Sequence, residues 1–341
     1  MTRVLHITEA YNAGVGRAID SIALLTPDRE HHLLWSARSD ASPLPDFATA
    51  THLPDGVAAR VRAVRDSVRR VKPDVVHAHS SWAGVYARVR PLDVPVVYQP
   101  HCYKFDDPST ASIVRRAYRA AERLLAARSD SVVVLSAHEA RLALSLDRRV
   151  RVHVLTNAPT VAVAPARARV GDEVVMVGRL SAQKDPEHFA RVAKLVNRLR
   201  PGTPFTWIGS GPTSSRDRLE SAGVRVTGWL DGDRLVDHLD RAAVYYHSAR
   251  YEGFPLSVLD AAARRVPVIA RRIPAFDGTP LRVVDDEAAA ARALVAVLDD
   301  EVERLQTARA TDALHESMSI AAHVESLNTL YDRYTREHAT R

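Results

Sequence analysis

Short apolar runs alternate along the chain with longer stretches whose apolar residues recur every three to four positions. Residues 4–8 predict a strand, 16–25 a helix and 32–35 a second strand. Residues 57–71 predict a helix, because Val57, Val61, Val64, Val68 and Val71 share one face. Strands at 74–79, 94–99, 131–135 and 152–155 alternate with helices at 81–89, 112–127 and 137–146. These strands are apolar on both sides and rich in β-branched residues. That argues a parallel sheet covered on both faces.

Residues 159–171 have no amphipathic period and read as a linker. Then the pattern restarts. Strands are expected at 173–178, 205–209, 224–227, 244–249, 266–270 and 281–284. Helices are expected at 185–199, 216–222, 234–241, after 251–255 to about 265, and at 287–298, 301–314 and 320–334. The result is two doubly wound α/β domains, 1–158 and 172–318, with 319–341 as a terminal helix. Ligands in such sheets bind at the carboxyl ends of strands, so the expected site is the crevice between the domains.

Composition narrows the class. A chain of 341 residues exceeds one ordinary core, and 46% apolar with 26% charged residues reads as globular. Cys102 is the single cysteine. It excludes an intramolecular disulfide framework or a multi-cysteine zinc site and fits a reducing compartment. No apolar stretch reaches the ~18–20 residues of a membrane span, and no secretory leader is visible. A cytoplasmic protein is expected. The net charge of +6 leaves two readings: solvated helix faces, or a local patch facing phosphates or anionic lipid. Arg115, Arg116, Arg119, Arg123 and Arg128 lie on and beside one helix, where peripheral contact with an anionic membrane or an acidic acceptor is expected. No aromatic-basic platform is present, so nucleic acid is not an expected partner.

Candidate chemistry collects at strand ends. Asn12-Ala13-Gly14-Val15-Gly16-Arg17 forms the first βα turn, where Gly14 and Gly16 let backbone approach a phosphate or sugar. It lacks the third glycine of a dinucleotide fingerprint. His77 and His79 project to one face of a strand, but no third metal ligand is evident. His101 ends the next strand, either as a plain loop histidine or as a polar contact to a sugar or a proton relay. Cys102 beside it is not its nucleophilic partner, since neighbours in an extended chain point oppositely. Gly178-Arg179-Leu180-Ser181-Ala182-Gln183-Lys184-Asp185 joins a strand to a helix, and Arg179 and Lys184 can converge on a diphosphate. Gly209-Ser210-Gly211-Pro212 exposes backbone after the next strand. Glu252-Gly253-Phe254-Pro255-Leu256 precedes a helix whose start favours an anion, with Asp260 further along.

In that order, these motifs resemble the retaining GT-B glycosyltransferases of family four, over nearly the whole chain. The resemblance implies two facing Rossmann-like domains and a last helix that crosses back onto the first. It implies a nucleotide-sugar donor, UDP- or GDP-linked, in the second domain and an acceptor mainly in the first. The acceptor would be a saccharide, a lipid-linked saccharide or a small metabolite, in bacterial polysaccharide, glycolipid or glycoconjugate synthesis. No metal or other cofactor is implied. Arg179 and Lys184 would bind the diphosphate, and Glu252 the donor sugar. The backbone at Phe254, Pro255 and Leu256 would meet sugar or phosphate, and Asp260 would stand where an acid holds the ribose hydroxyls. His101 would match a histidine near the sugar's 6-hydroxyl, with Gly14, Gly16, Gly209 and Gly211 near the donor. The chain departs from the family where Asp260 replaces a usual Glu, Arg264-Arg265 a common glycine, and Arg271-Arg272 a glycine-bearing loop. Another GT-B chemistry, such as a sugar-phosphate synthase, and a non-catalytic GT-B interaction protein are the alternatives.

Overall fold

The computed structural model describes residues 1–11, 14–37, 47–165, 171–230 and 232–339. Asn12 and Ala13 of the first βα turn, and 166–170 of the expected linker, lie outside them. Contacts divide the chain into two units, Met1–Ala158 with Ile320–Arg341, and Pro159–Ser319.

The first unit holds seven strands: β1 (Arg3–Thr8), β2 (Glu30–Trp35), β3 (Thr49–His52), β4 (Val75–His79), β5 (Val96–Gln99), β6 (Ser131–Val134) and β7 (Val152–Val154). They pair in the order β3-β2-β1-β4-β5-β6-β7, all parallel. Strand β3 is absent from the sequence expectation. It is a mostly exposed edge strand of Thr-Ala-Thr-His, with no apolar alternation to announce it. Helices α1 (Gly14–Leu25), α2 (Val57–Val71), α3 (Ser81–Arg88), α4 (Ser112–Ala126) and α5 (Ala137–Leu146) connect the strands.

Alternation divides the strand residues between two cores. Leu5, Ile7, Val76, Ala78, Tyr98 and Val134 enter one cluster. Val4, Val75, Val97 and Val133 enter the other, where they meet Leu327, Leu330, Tyr331 and Tyr334. Those four come from the last helix, Ile320–Ala339, so the chain's end returns to the first unit and covers one face of its sheet. Arg29 fixes that helix by donating to Asn328 Oδ1 at 2.7 Å and Asp332 Oδ1 at 3.0 Å.

The second unit repeats the plan with β8 (Glu173–Val177), β9 (Phe205–Ile208), β10 (Val224–Val226), β11 (Ala242–His247), β12 (Val268–Arg271) and β13 (Arg282–Val284). Their order is β10-β9-β8-β11-β12-β13, again all parallel. Its helices are α6 (Pro186–Leu199), α7 (Thr213–Glu220), α8 (Gly232–Arg241), α9 (Leu256–Ala263), α10 (Glu287–Asp299) and α11 (Glu301–Ser317), and the terminal helix is α12. Residues 159–165, expected within a linker, pack in this unit: Ala164 N donates to Ala263 O at 2.8 Å, and Arg264 Nη1 to Ala162 O at 2.8 Å. Among the described residues no helix is long and apolar enough to cross a membrane.

Candidate active site

Strands β8 and β11 are neighbours at the centre of the second sheet, and the strand order reverses between them. The chain leaves β8 toward α6 and β11 toward α9, so the two outgoing loops open at this reversal. Arg250 N donates to Gln183 O, and Ser248 Oγ to Lys184 O, each at 2.8 Å, stitching the loops together. Asp185 caps α6 in a left-handed conformation and accepts from His188 N. Its other oxygen takes Arg250 Nε at 2.7 Å and Arg271 Nη1 at 2.8 Å. Arg271 thus replaces the usual glycine loop with a clamp on the start of α6, and Arg272 pairs with Asp285.

Lys184 and Glu252 meet in this junction, with Nζ 2.5 Å from Oε1. Gln183 Nε2 donates to Glu252 Oε2 at 3.2 Å, and His247 Nε2 lies 3.5 Å from Oε1, at the outer limit of a hydrogen bond. Burial alone would raise the Glu252 carboxyl. The Lys184 ammonium and His247 outweigh it and hold the group at about 2, so it is ionised. Burial lowers His247, which leaves it neutral beside the pair. Sequence reasoning missed Gln183, His247, Ser248 and Arg250 as parts of this junction. The available signal was their place at or just beyond two strand ends.

The other expected residues divide by place. Arg179 follows β8, is exposed, and makes no hydrogen bond or ion pair among the described residues. Gly209 has φ 146, and a Cβ there would lie 2.0 Å from Gly178 O, so only glycine fits between the two loops. Gly211 sits against Leu180, whose N–H donates to Ser210 O at 2.9 Å. Phe254 is buried edge-on to Phe276. Pro255 precedes α9, Leu256 begins it, and no side chain caps the helix.

Asp260 has a partner within the protein that the sequence did not show. It is buried on α9 and accepts from Thr160 N at 2.6 Å and from Thr160 Oγ1 at 3.0 Å and 3.1 Å. Both oxygens are engaged by the segment entering this unit. The shorter aspartate keeps its carboxylate against the helix, within reach of that segment.

In the first unit the strand order reverses between β1 and β4. Gly14 opens α1, two residues earlier than expected. Gly16 packs on the preceding turn, where a Cβ would fall 2.1 Å from Tyr11 O. His101 and Cys102 follow β5 at φ 51 and 86, two successive non-glycine residues in a left-handed conformation. Cys102 N donates to Glu139 Oε1 at 2.6 Å, which holds the bend in place. Burial pushes His101 down to about 3, so the ring is neutral. His77 and His79 also acquire a neighbour the sequence did not show. His6 on β1 brings a third ring nitrogen, all three within 4.8 Å of one another. Hydrogen bonds account for this spacing: His6 Nδ1 lies 3.0 Å from His79 Nε2, and His77 Nδ1 lies 2.8 Å from Tyr331 OH.

Comparison with known proteins agrees with this architecture. The Glycosyl transferase 4-like domain profile matches residues 2–158, and the Glycosyl transferases group 1 profile matches residues 171–300. The UDP-Gal:alpha-D-GlcNAc-diphosphoundecaprenol alpha-1,3-galactosyltransferase of Escherichia coli is 25% identical over 300 residues, 77% of this chain and 76% of that protein. Sucrose-phosphate synthase from Thermosynechococcus elongatus has a similar fold, with TM-score 0.80 and 17% identity over 99% of this chain and 100% of that one. Anabaena HepE, solved with UDP and glucose, has TM-score 0.77 and 14% identity over 98% of this chain and 100% of that one. With one profile on each unit and the same reversal in both sheets, the chain belongs to the group 1 glycosyl transferases of family four and has their GT-B fold.

Proposed function

We propose that the chain is a retaining glycosyltransferase that moves a hexose from a nucleotide diphosphate to an acceptor hydroxyl without a metal. The observation that carries this reading is the Lys184–Glu252 pair at the reversal of the second sheet, beside the start of α9, which no side chain caps. A departing diphosphate gains negative charge as the bond to the sugar breaks. Lys184 supplies a point charge held in place by Glu252, and the exposed Arg179 supplies a planar fork. First-turn N–H groups of α9 add a third source of positive potential. Such preorganised donors are each worth roughly 10²–10³ in rate. Ionised Glu252 accepts hydrogen bonds from sugar hydroxyls. In the retaining course the acceptor oxygen bonds to the anomeric carbon on the face the phosphate leaves, and its proton passes to the departing phosphate.

The Escherichia coli relative is a UDP-Gal transferase and the Anabaena protein was solved with UDP and glucose, which favours a UDP-sugar over a GDP-sugar. A saccharide on a lipid diphosphate, the acceptor in the name of the Escherichia coli relative, is the favoured acceptor here. The setting is bacterial polysaccharide or glycolipid synthesis on the cytoplasmic side. A thermal-shift screen of UDP, GDP, ADP and TDP in EDTA tests the donor reading, since a ligand of the native state raises apparent stability. UDP is expected to raise the melting temperature, and Arg179→Ala to weaken that shift. A shift by none of the four, or one that requires a divalent ion, overturns the reading.

A further inference from the structure

Four histidines far apart in sequence form a continuous chain in the first unit. His101 Nε2 lies 3.0 Å from His79 Nδ1, His79 Nε2 lies 3.0 Å from His6 Nδ1, and His6 Nε2 lies 2.9 Å from His31 Nδ1. His31 Nε2 ends the chain 2.9 Å from Thr26 Oγ1 and 3.2 Å from Thr26 O. Strands β2, β1 and β4 supply His31, His6 and His79, and the register pairs Val4 with His31 and Thr8 with His79. The rings therefore step diagonally across one sheet face toward the carboxyl ends, where His101 sits.

The chain has one allowed direction. A neutral imidazole carries one donor and one acceptor nitrogen. The Thr26 carbonyl only accepts, and the Thr26 hydroxyl gives its proton to Ile22 O at 2.7 Å, so both Thr26 oxygens receive from His31. His31 Nε2 thus carries hydrogen and its Nδ1 accepts. His6 must then donate from Nε2 and accept at Nδ1, and His79 and His101 follow in turn. At the outer end His101 Nδ1 is a lone pair with no partner among the described residues. An apolar face would pack this sheet at lower desolvation cost than four imidazoles, so stability alone does not account for the array. Each link is satisfied only if the whole chain runs one way.

We propose that His79, His6 and His31, anchored on Thr26, are positioning residues that hold His101 as its neutral Nε2–H tautomer and present Nδ1 as a hydrogen-bond acceptor to a ligand hydroxyl. The ligand clause rests on the glycosyltransferase reading; the tautomer clause does not. A relay that makes His101 a base would place positive charge among rings whose burial disfavours it, so acceptance of a hydrogen bond is the role that fits.

Long-range ¹H–¹⁵N correlation of ring nitrogens on histidine-labelled protein at pH 7, assigned by single substitutions, tests the direction. Protonated Nε2 and bare Nδ1 are expected at His101, His79, His6 and His31. An Nδ1–H tautomer or an imidazolium at His101 overturns the proposal, with no variant required. His31→Phe keeps a ring but removes the acceptor of the His6 Nε2–H and with it the link to Thr26. It is expected to introduce an Nδ1–H population at His101 and to lower donor kcat/KM about tenfold, the scale of one lost hydrogen bond. An unchanged His101 tautomer in a folded His31→Phe protein also overturns it. If the wild type shows the tautomers but turns over no nucleotide sugar, the glycosyltransferase reading fails and the directed chain stands.

Discussion

Glu252 and Asp260 look alike in the sequence, two acids eight positions apart around an uncharged run. The structure separates them by their partners. Glu252 faces Lys184 across the junction of two loops, while Asp260 is tied to Thr160, 100 residues away in the chain. Both residues of the first pair were singled out in motifs at strand ends, but their pairing comes from strand order, which brings those ends together. The second pairing was not legible, because Thr160 sits in a stretch with no pattern to read. Protonation of Glu252 gives a direct measure of the pair. Its folded carboxyl is held near 2, below an ordinary value of 4.5. Its contribution is therefore complete above pH 4.5 and is lost as pH falls toward 2. Glu252→Gln is expected to cost about 3 kcal/mol at pH 7, the scale of leaving a buried partner unpaired. The gap from wild type should close between pH 4.5 and 2 in denaturant titrations. A gap that is constant with pH would show that the ion pair contributes nothing through its charge.

At the scale of elements, the periodic helices were the readable ones. Helix α9 gave no period because all eight of its residues are buried, and it ends earlier than expected, at Ala263. Arg265 follows at φ 59, which explains why a glycine is common there in the family that the chain resembles. Helix α4 carries the basic residues expected to meet a membrane, and the structure divides them. Arg115 Nε donates to Phe105 O, Arg119 Nη2 to Ser145 Oγ and Arg128 Nη1 to Val89 O, so these three are engaged by the protein. Arg116 and Arg123 remain exposed, beside an outward apolar stripe of Ile113, Ala117, Ala120 and Leu124, the last 79% exposed. An outward apolar stripe flanked by arginines fits the surface of an anionic bilayer. Flotation with phosphatidylglycerol vesicles should recover the protein, and Leu124→Glu with Arg123→Glu should abolish recovery. Equal flotation with neutral and anionic vesicles would contradict a charge-assisted contact.

At the scale of the molecule, two sheets with the same reversal of strand order were legible from the alternation of apolar runs and amphipathic stretches. The histidine array was not. His6, His31, His79 and His101 are brought together only by strand order and register, and His77-Ala78-His79 was the one fragment visible locally. The array makes stability depend on pH. His6, His31, His77, His79 and His101 are all lowered chiefly by burial, His31 to about 4 and His101 to about 3. Each contributes stability that is present above its ordinary value of 6.5 and lost as pH falls below it. All five act in the same direction as pH falls, and the interacting rings titrate together rather than as a sum of independent groups. Thermal unfolding followed by circular dichroism should show a steep loss between pH 6.5 and 5, and a flat melting temperature over that range would contradict it. The central claim is that Lys184 stabilises the leaving diphosphate of a nucleotide sugar and that Glu252 holds Lys184 and the donor sugar in place. Its most direct test is kcat for UDP-sugar transfer by wild type, Lys184→Ala and Glu252→Ala. Each variant is expected to fall at least ~100-fold while remaining folded, the scale of one lost transition-state contact. Near-normal rates in both would contradict the claim.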